Sequence, residues 1–148
     1  MKRLLLPLAL ALVAGCGGDG SSDEPTKERF VADANRICRE GEAKIAEVAQ
    51  SQRSKPVPDI LETTVEAYEP YMARLRDVRA PDRLAEAWST FLDGVQEAFD
   101  LIPELAAATR DDDEEKLAEL TTRFSDIADD TRPFAQNNGL AECLPENG

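Results

Sequence analysis

From Thr26 onward the chain carries its apolar residues at steps of three and four positions, which is the period of an amphipathic α-helix. Four such stripes follow one another over residues 30–48, 61–78, 84–106 and 117–134, separated by polar, proline-containing or acidic breaks. No part of the sequence shows sustained strand alternation or a two-residue hairpin signal. The pattern predicts an all-α fold, an antiparallel up-down-up-down four-helix bundle.

The same pattern predicts the ends of the bundle and its core. Thr26 is the expected N-cap of the first helix, and Asn138-Gly139 is the expected stop of the last. Seven aromatic residues on the stripes are expected to fill the core: Phe30, Tyr68, Trp88, Phe91, Phe99, Phe124 and Phe134. A second interpretation stays open, in which the polar tips of Trp88, Tyr68 and Tyr71 line a pocket.

Composition excludes several classes of site. The chain has no histidine, which rules out a Ser-His-Asp triad, a histidine-assisted cysteine nucleophile and any histidine-ligated metal or haem. Its 17 basic and 30 acidic residues give a net charge of −13, which opposes nucleic acid as a partner. There is no phosphate-cradling glycine loop and no G-x-S-x-G element. We therefore predict no catalytic residue, no cofactor and no metal site.

The first sixteen residues follow the layout of an export signal. Lys2 and Arg3 precede an apolar run of 12 residues, whereas a membrane-spanning helix needs about 20. The run ends Val13-Ala14-Gly15-Cys16, which resembles the lipobox of bacterial lipoproteins. That resemblance implies a signal peptide over residues 1–15, lipid on the Cys16 thiol, cleavage before Cys16 and acylation of the new amino terminus. The alternative is an ordinary secretory signal with a chance cysteine at its end.

Residues 16–25 are expected to form the lipidated cysteine and a flexible tether, and residues 26–148 the four-helix domain. After Cys16 the tether is glycine, serine, acids and one proline, with an r.m.s. reach of roughly 15–18 Å. Loss of Lys2 and Arg3 with the signal changes the net charge from −13 to −15. Anionic lipid repels such a surface, so the lipid on Cys16 must hold the protein at the membrane. The predicted location is extracytoplasmic, anchored to the cell membrane.

Once Cys16 is assigned to lipid, Cys38 and Cys143 remain as an even pair. Export places both in a compartment that permits disulfides, and the first and last helices of an up-down bundle are neighbours. A Cys38–Cys143 bond would close a loop of about 100 residues, for which chain entropy predicts roughly 4–5 kcal/mol. The alternatives are a redox-active pair and two free thiols. The sequence has no Cys-x-x-Cys motif to favour the redox pair.

The acidic run at residues 111–115 has two interpretations. Carboxylates suit hard cations such as calcium, but the run lacks the alternating spacing of an EF-hand loop. Acids at a helix start also complement the dipole and cap free amides, which is the interpretation we prefer. Farther along the same helix a solvated ion-pair face is expected, because Arg123 and Asp126 are three residues apart. The residues of this face are Arg123, Asp126, Asp129, Asp130 and Arg132.

The basic residues concentrate where the second and third helices meet. Arg74, Arg76, Arg79 and Arg83 would suit an anionic ligand or an acidic partner. The preferred interpretation is pairing with neighbouring acids on the same segment, namely Asp77, Asp82 and Glu86.

Three short segments resemble the small Ala/Arg-rich exported lipoproteins of actinobacteria: Ala34-Asn35-Arg36-Ile37-Cys38, Val78-Arg79-Ala80-Pro81 and Gly139-Leu140-Ala141-Glu142-Cys143. The resemblance implies an all-helical domain with one disulfide and transfers no catalytic residue. The first hypothesis is a non-enzymatic, membrane-tethered module that binds an envelope protein, a cell-wall component or a small ligand. The alternatives are a solute- or metal-binding bundle, which a pocket with converging polar groups would favour, and an enzyme without a recognisable motif.

Overall fold

The computed structural model describes residues 24–144, and this part of the chain is all-helical. It contains four α-helices and one short 3₁₀ helix: α1 (Lys27–Ser51), α2 (Val57–Arg76), α3 (Asp82–Arg110), α4 (Glu114–Asn138) and η1 (Ala141–Cys143). The predicted all-α class with four helices is confirmed. The predicted signal peptide, the lipidated Cys16 and most of the tether lie outside the described residues.

Capping defines where the outer helices begin and end. The Thr26 side chain accepts a hydrogen bond of 3.2 Å from the Arg29 backbone N–H, which confirms the predicted N-cap of α1. Gly139 adopts a left-handed conformation with φ 80° and ends α4 as predicted. A side chain distant in sequence caps the first backbone N–H of α3. Glu24 Oε1, 58 residues earlier, accepts a hydrogen bond of 3.0 Å from the Asp82 N–H.

Close packing joins α1 with α2, α2 with α3, and α3 with α4, which is consistent with a bundle. In the described part of the chain, α1 and α4 are not among the pairs with extended contact. The short helix η1 packs on α1 and also contacts α4. The sequence predicted direct neighbours, but the chain turns after Gly139 and places η1 beside α1 instead.

The disulfide Cys38–Cys143 joins α1 to η1, with the two Cα atoms 5.0 Å apart, and confirms the predicted pairing. Asn35 reinforces the same junction. Its Nδ2 donates to the Gly139 carbonyl at 2.9 Å, and its Oδ1 accepts from the Glu142 N–H at 3.2 Å. The C-terminal end of the fold is therefore tied to α1 by one covalent bond and two hydrogen bonds.

Aromatic side chains from three helices form the main core. Phe30 meets Trp88 edge to face at 5.0 Å, and Phe91 and Phe134 complete the cluster. The Trp88 indole N–H donates to the Val78 carbonyl at 3.1 Å, which satisfies its polar tip inside the fold. Trp88 is thus a core residue, as its place on the apolar stripe predicted.

The prediction that Phe124 fills the core is wrong, because its side chain is 37% exposed. The physical reason is the packing of α4. Of the other three α-helices, only α3 makes extended contact with α4, so the face that carries Phe124 has no α-helix packed closely against it. A smaller apolar cluster, with Leu101, Ala108 and Leu120 at its centre, holds α3 and α4 together toward the α3–α4 turn. Over residues 24–144 no helix combines the length and apolarity that crossing a bilayer requires.

Candidate functional site

An apolar cleft of about 230 Å³ opens between α1 and α4. Ile45 of α1 lines one side, and Phe124 and Ile127 of α4 line the other. Its floor comes from α3, through Val95 and Phe99, together with the ring of Tyr68 from α2. The cleft occupies the place where the sequence predicted direct contact between the first and last helices. Its large apolar residues from the four α-helices all belong to helical stripes, so the pattern alone assigned them to core.

A glycine lets Tyr68 form part of the cleft floor. Gly41 of α1 is buried, and a Cβ built on it would lie 2.5 Å from Tyr68 Cε2. The Tyr68 ring therefore passes over Gly41 of α1 without a steric clash. It stacks on Phe99, with the ring centroids 4.4 Å apart and the ring planes inclined by 6°. Two aromatic rings from different helices thus form one continuous apolar surface.

The polar residues that line the cleft are Glu42, Tyr68, Thr131 and Arg132. The charged residues that line it are Glu42 of α1 and Arg132 of α4, so the mouth has no net charge. Arg132 Nη2 lies 4.0 Å from Asp129 Oδ1 on the same helix. Burial, with a smaller contribution from the charge of Glu42, raises the pKa of Tyr68 to about 12. Its hydroxyl therefore stays protonated and neutral near pH 7.

The covalent junction of the fold also forms one end of the cleft. Cys143 and Leu144 both line it, and the bond to Cys38 holds them against α1. The Cys143 Sγ lies 3.8 Å from the Ala34 carbonyl oxygen. The predicted disulfide therefore also positions one wall of the cleft. The sequence analysis did not predict this role.

The predicted pairing of the basic cluster with nearby acids on the same segment is wrong. Arg74 Nη2 contacts Glu40 Oε2 of α1 at 2.7 Å, and its guanidinium lies 5.5 Å from the Tyr71 ring centroid. The Arg74 hydrogen bond lowers the pKa of Glu40. The helix period brings Arg74 to the α1 side of α2, where a carboxylate from another helix is closer than Asp77.

Over residues 24–144, Arg76, Arg79 and Arg83 have no carboxylate within 4.0 Å. Arg74 and Arg79 line a surface hollow of about 640 Å³ together with Asp33, Asp77 and Glu24. Because charges of both signs line that hollow, it lacks the single-sign lining that an anion site needs.

The acidic run caps α4. Asp113 accepts a hydrogen bond of 3.0 Å from the Lys116 backbone N–H, and Asp112 makes the turn before it with φ 51°. Within the described residues, no group of three or more potential ligands is arranged to hold a metal ion. Of the ion-pair face predicted on α4, Arg132 Nη2 lies 4.0 Å from Asp129 Oδ1. The predicted pairing of Arg123 with Asp126 is wrong, because Arg123 Nη2 lies 3.8 Å from Glu97 Oε1 of α3 instead.

Only some of the residues that the sequence analysis named as candidates line the cleft. Cys143 and Tyr68 both reach the cleft, whereas the acidic run and the arginine cluster contribute no lining residue to it. The open interpretation in which tyrosines line a pocket was the one available signal, and it applies to Tyr68. In comparisons with models of protein families, with curated proteins and with solved structures, the chain shows no significant match to any of them.

Proposed function

We propose that this protein is a non-enzymatic binding protein, held outside the cytoplasmic membrane by lipid on Cys16, and that the cleft between α1 and α4 is its ligand site. The observation that carries the proposal is the cleft itself, an apolar opening beside a well-packed core. In this proposal the four helices run alternately up and down. The direct α1–α4 contact of a closed bundle is replaced by the ligand site.

The lining favours a small, neutral, apolar ligand. A closed apolar cavity of about 150 Å³ can hold benzene, and this cleft is about 230 Å³. One ring, or two fused rings, is therefore the matching size. Since Glu42 and Arg132 give the mouth no net charge, a neutral molecule fits it better than an ion of either sign. The apolar walls likewise favour an organic solute over a metal ion.

The groups around the cleft support binding rather than catalysis. Cys143 is held in a disulfide, and the pKa of Tyr68, raised to about 12, makes its hydroxyl harder to ionise than that of a free tyrosine. The chain has no histidine to act as a general base there. A nucleophile activated by a neighbouring base is the common feature of covalent catalysis, whereas the Thr131 hydroxyl in the lining donates to the Ile127 carbonyl at 2.8 Å.

A fluorescence titration with prodan, a neutral polarity-sensitive dye built on two fused rings, tests the ligand site. We expect binding by the full chain carrying Cys16→Ser, and its loss in Ala98→Trp, because Ala98 lines the cleft and an indole there fills it. Ala107→Trp is the matched control, since Ala107 is exposed on the same helix and away from the cleft. Equal binding by the two tryptophan variants, with both shown to be folded by circular dichroism, would reject the cleft as the site.

Metabolic labelling with palmitate, followed by membrane fractionation, tests the tether. We expect the wild-type chain to carry label and to sediment with membranes, and Cys16→Ser to lose both properties. Cys38→Ser is the control, because it removes a different cysteine and should keep the label. Recovery of an unlabelled cytosolic chain that retains Met1 would reject the lipid anchor. The binding titration would then decide by itself whether the cleft is a ligand site.

A further inference from the structure

A second concave surface, which we call the acidic groove, follows the seam between α3 and α4. It has a volume of about 700 Å³. Its floor is apolar and includes Phe91, Ile127 and Phe134. Gly94 makes the seam narrow, since a Cβ there would lie 2.5 Å from Thr131 Cγ2 of α4. The two helices therefore approach closely, and the aromatic rings form a continuous strip beneath the groove.

The walls of the acidic groove carry mainly negative charge. Glu86, Asp93 and Glu97 follow one another on α3 at spacings of seven and four, which puts them on one side of that helix. Asp130 faces them from α4. Arg83, at one end, is the single cation among the lining residues. Arg123 of α4 lies 3.8 Å from Glu97, so among the described residues Glu86, Asp93 and Asp130 are the wall acids with no cation within 4.0 Å. Such an arrangement attracts a cation along its length while the floor attracts apolar surface.

We infer that the acidic groove is an interaction surface for a cationic amphipathic segment of a partner protein, with an apolar stripe for the floor and lysine or arginine for the walls. This inference does not depend on the ligand proposed for the cleft, although Phe91, Ile127 and Thr131 line both openings. It rests on charge complementarity, because the walls select the sign of the partner's charge and the floor selects its apolar face.

The length of the groove favours a polypeptide over a small cation. From Arg83 to Glu97, α3 advances about 21 Å at about 1.5 Å per residue. That distance matches about four turns of a partner helix laid along the seam, which is the helix-in-groove mode of recognition. A second copy of this chain is disfavoured, because each copy carries a net charge of −13 and like charges repel.

The test uses a synthetic helical peptide of leucine and lysine with a fluorescent label, and the full chain carrying Cys16→Ser. Its matched control peptide has every lysine replaced by glutamine. We expect the lysine peptide to bind, the glutamine peptide to bind about tenfold more weakly, and added salt to weaken the lysine peptide. Similar affinity for the two peptides would overturn the inference.

Two variants with equal net charge then locate the surface. The groove variant carries Glu86→Gln, Asp93→Asn, Glu97→Gln and Asp130→Asn. The control variant carries Glu28→Gln, Glu66→Gln, Glu69→Gln and Glu115→Gln, all exposed and outside the groove. We expect about a tenfold loss of affinity for the lysine peptide in the groove variant and less than about a twofold loss in the control.

Equal losses in the two variants would show that net charge alone attracts the peptide and would overturn the inference. Sedimentation velocity tests whether a second copy of this chain occupies the groove instead. If the wild-type chain self-associates and the groove variant does not, the groove binds a second copy and the cationic partner is rejected. Thermal melts of both variants confirm that they are folded before their affinities are compared.

Discussion

Gly41 of α1 lies against the ring of Tyr68 of α2, so closely that an added Cβ would be 2.5 Å from Tyr68 Cε2. The absence of a side chain at Gly41 affects how α2 packs on α3. Because Tyr68 passes over Gly41, its ring reaches Phe99 and stacks on it at 4.4 Å. Part of the cleft floor therefore depends on the absence of a methyl group in another helix.

We expect Gly41→Ala to destabilise the fold by about 1–2 kcal/mol. Overpacking costs about 1–3 kcal/mol, and the higher helix propensity of alanine offsets up to about 1 kcal/mol of it. Urea unfolding followed by circular dichroism measures the change. In a Tyr68→Leu background the substitution should cost less, because the ring is gone. An equal cost in both backgrounds would contradict the role assigned to this contact.

Removal of the disulfide is expected to be the most destabilising of these changes. The bond joins residues 105 positions apart, and the chain-entropy model gives about 4–5 kcal/mol for a loop of about 100 residues. We expect the double change Cys38→Ser and Cys143→Ser to lower the free energy of unfolding by up to that amount in urea. Cys16→Ser is the control and should leave it unchanged. Unfolding midpoints that agree for all three proteins would refute the clamp.

Asn35 supports the junction through both ends of its amide. Its two hydrogen bonds, to the Gly139 carbonyl and the Glu142 N–H, are 2.9 and 3.2 Å long. Asn35→Asp keeps the acceptor but places a carboxylate oxygen against the Gly139 carbonyl oxygen. We expect a loss of about 1–3 kcal/mol in thermal melts. Asn137→Asp makes the same chemical change at an exposed position and should cost far less; similar losses would mean that added charge alone is responsible.

The stability of the fold should fall at alkaline pH because of Tyr68. Burial raises the pKa of its hydroxyl to about 12 in the folded protein, against about 10 in an unfolded chain. Between these values the unfolded state releases the proton more readily, so stability is complete below pH 10 and decreases as the pH rises toward 12. We expect Tyr68→Phe to remove about 2–3 kcal/mol of this decrease. Urea unfolding from pH 9 to the highest pH that the wild-type protein tolerates, run in parallel on both proteins, measures it. Parallel curves would contradict the prediction.

Local signals in the sequence predicted the helices well. The Thr26 cap and the Gly139 stop lie where the sequence placed them, because caps depend on residues within a few positions. The Cys38–Cys143 pair was also predictable, since the expected export and the expected lipid on Cys16 leave one pair of cysteines. These features need no knowledge of how the helices face one another.

Features that depend on the relative placement of helices were not predictable. Periodicity put Phe124 on an apolar stripe, but it could not show that no helix covers that face. Spacing paired Arg74 with acids close to it in sequence, whereas its partner Glu40 is on another helix. The cleft was missed for the same reason, because a residue that lines an open apolar site and one that lies in a closed core carry the same sequence signal.

The bond between Cys38 and Cys143 closes the chain into a ring that contains all three connections between the helices, at residues 52–56, 77–81 and 111–113. An endoprotease that cuts any one of these turns opens the ring but releases no fragment, since both new ends stay attached through sulfur. Under oxidising conditions a nicked molecule would gain only the mass of one water and would keep its four α-helices together. Such tolerance of a single cut would suit a protein that encounters proteases outside the cell.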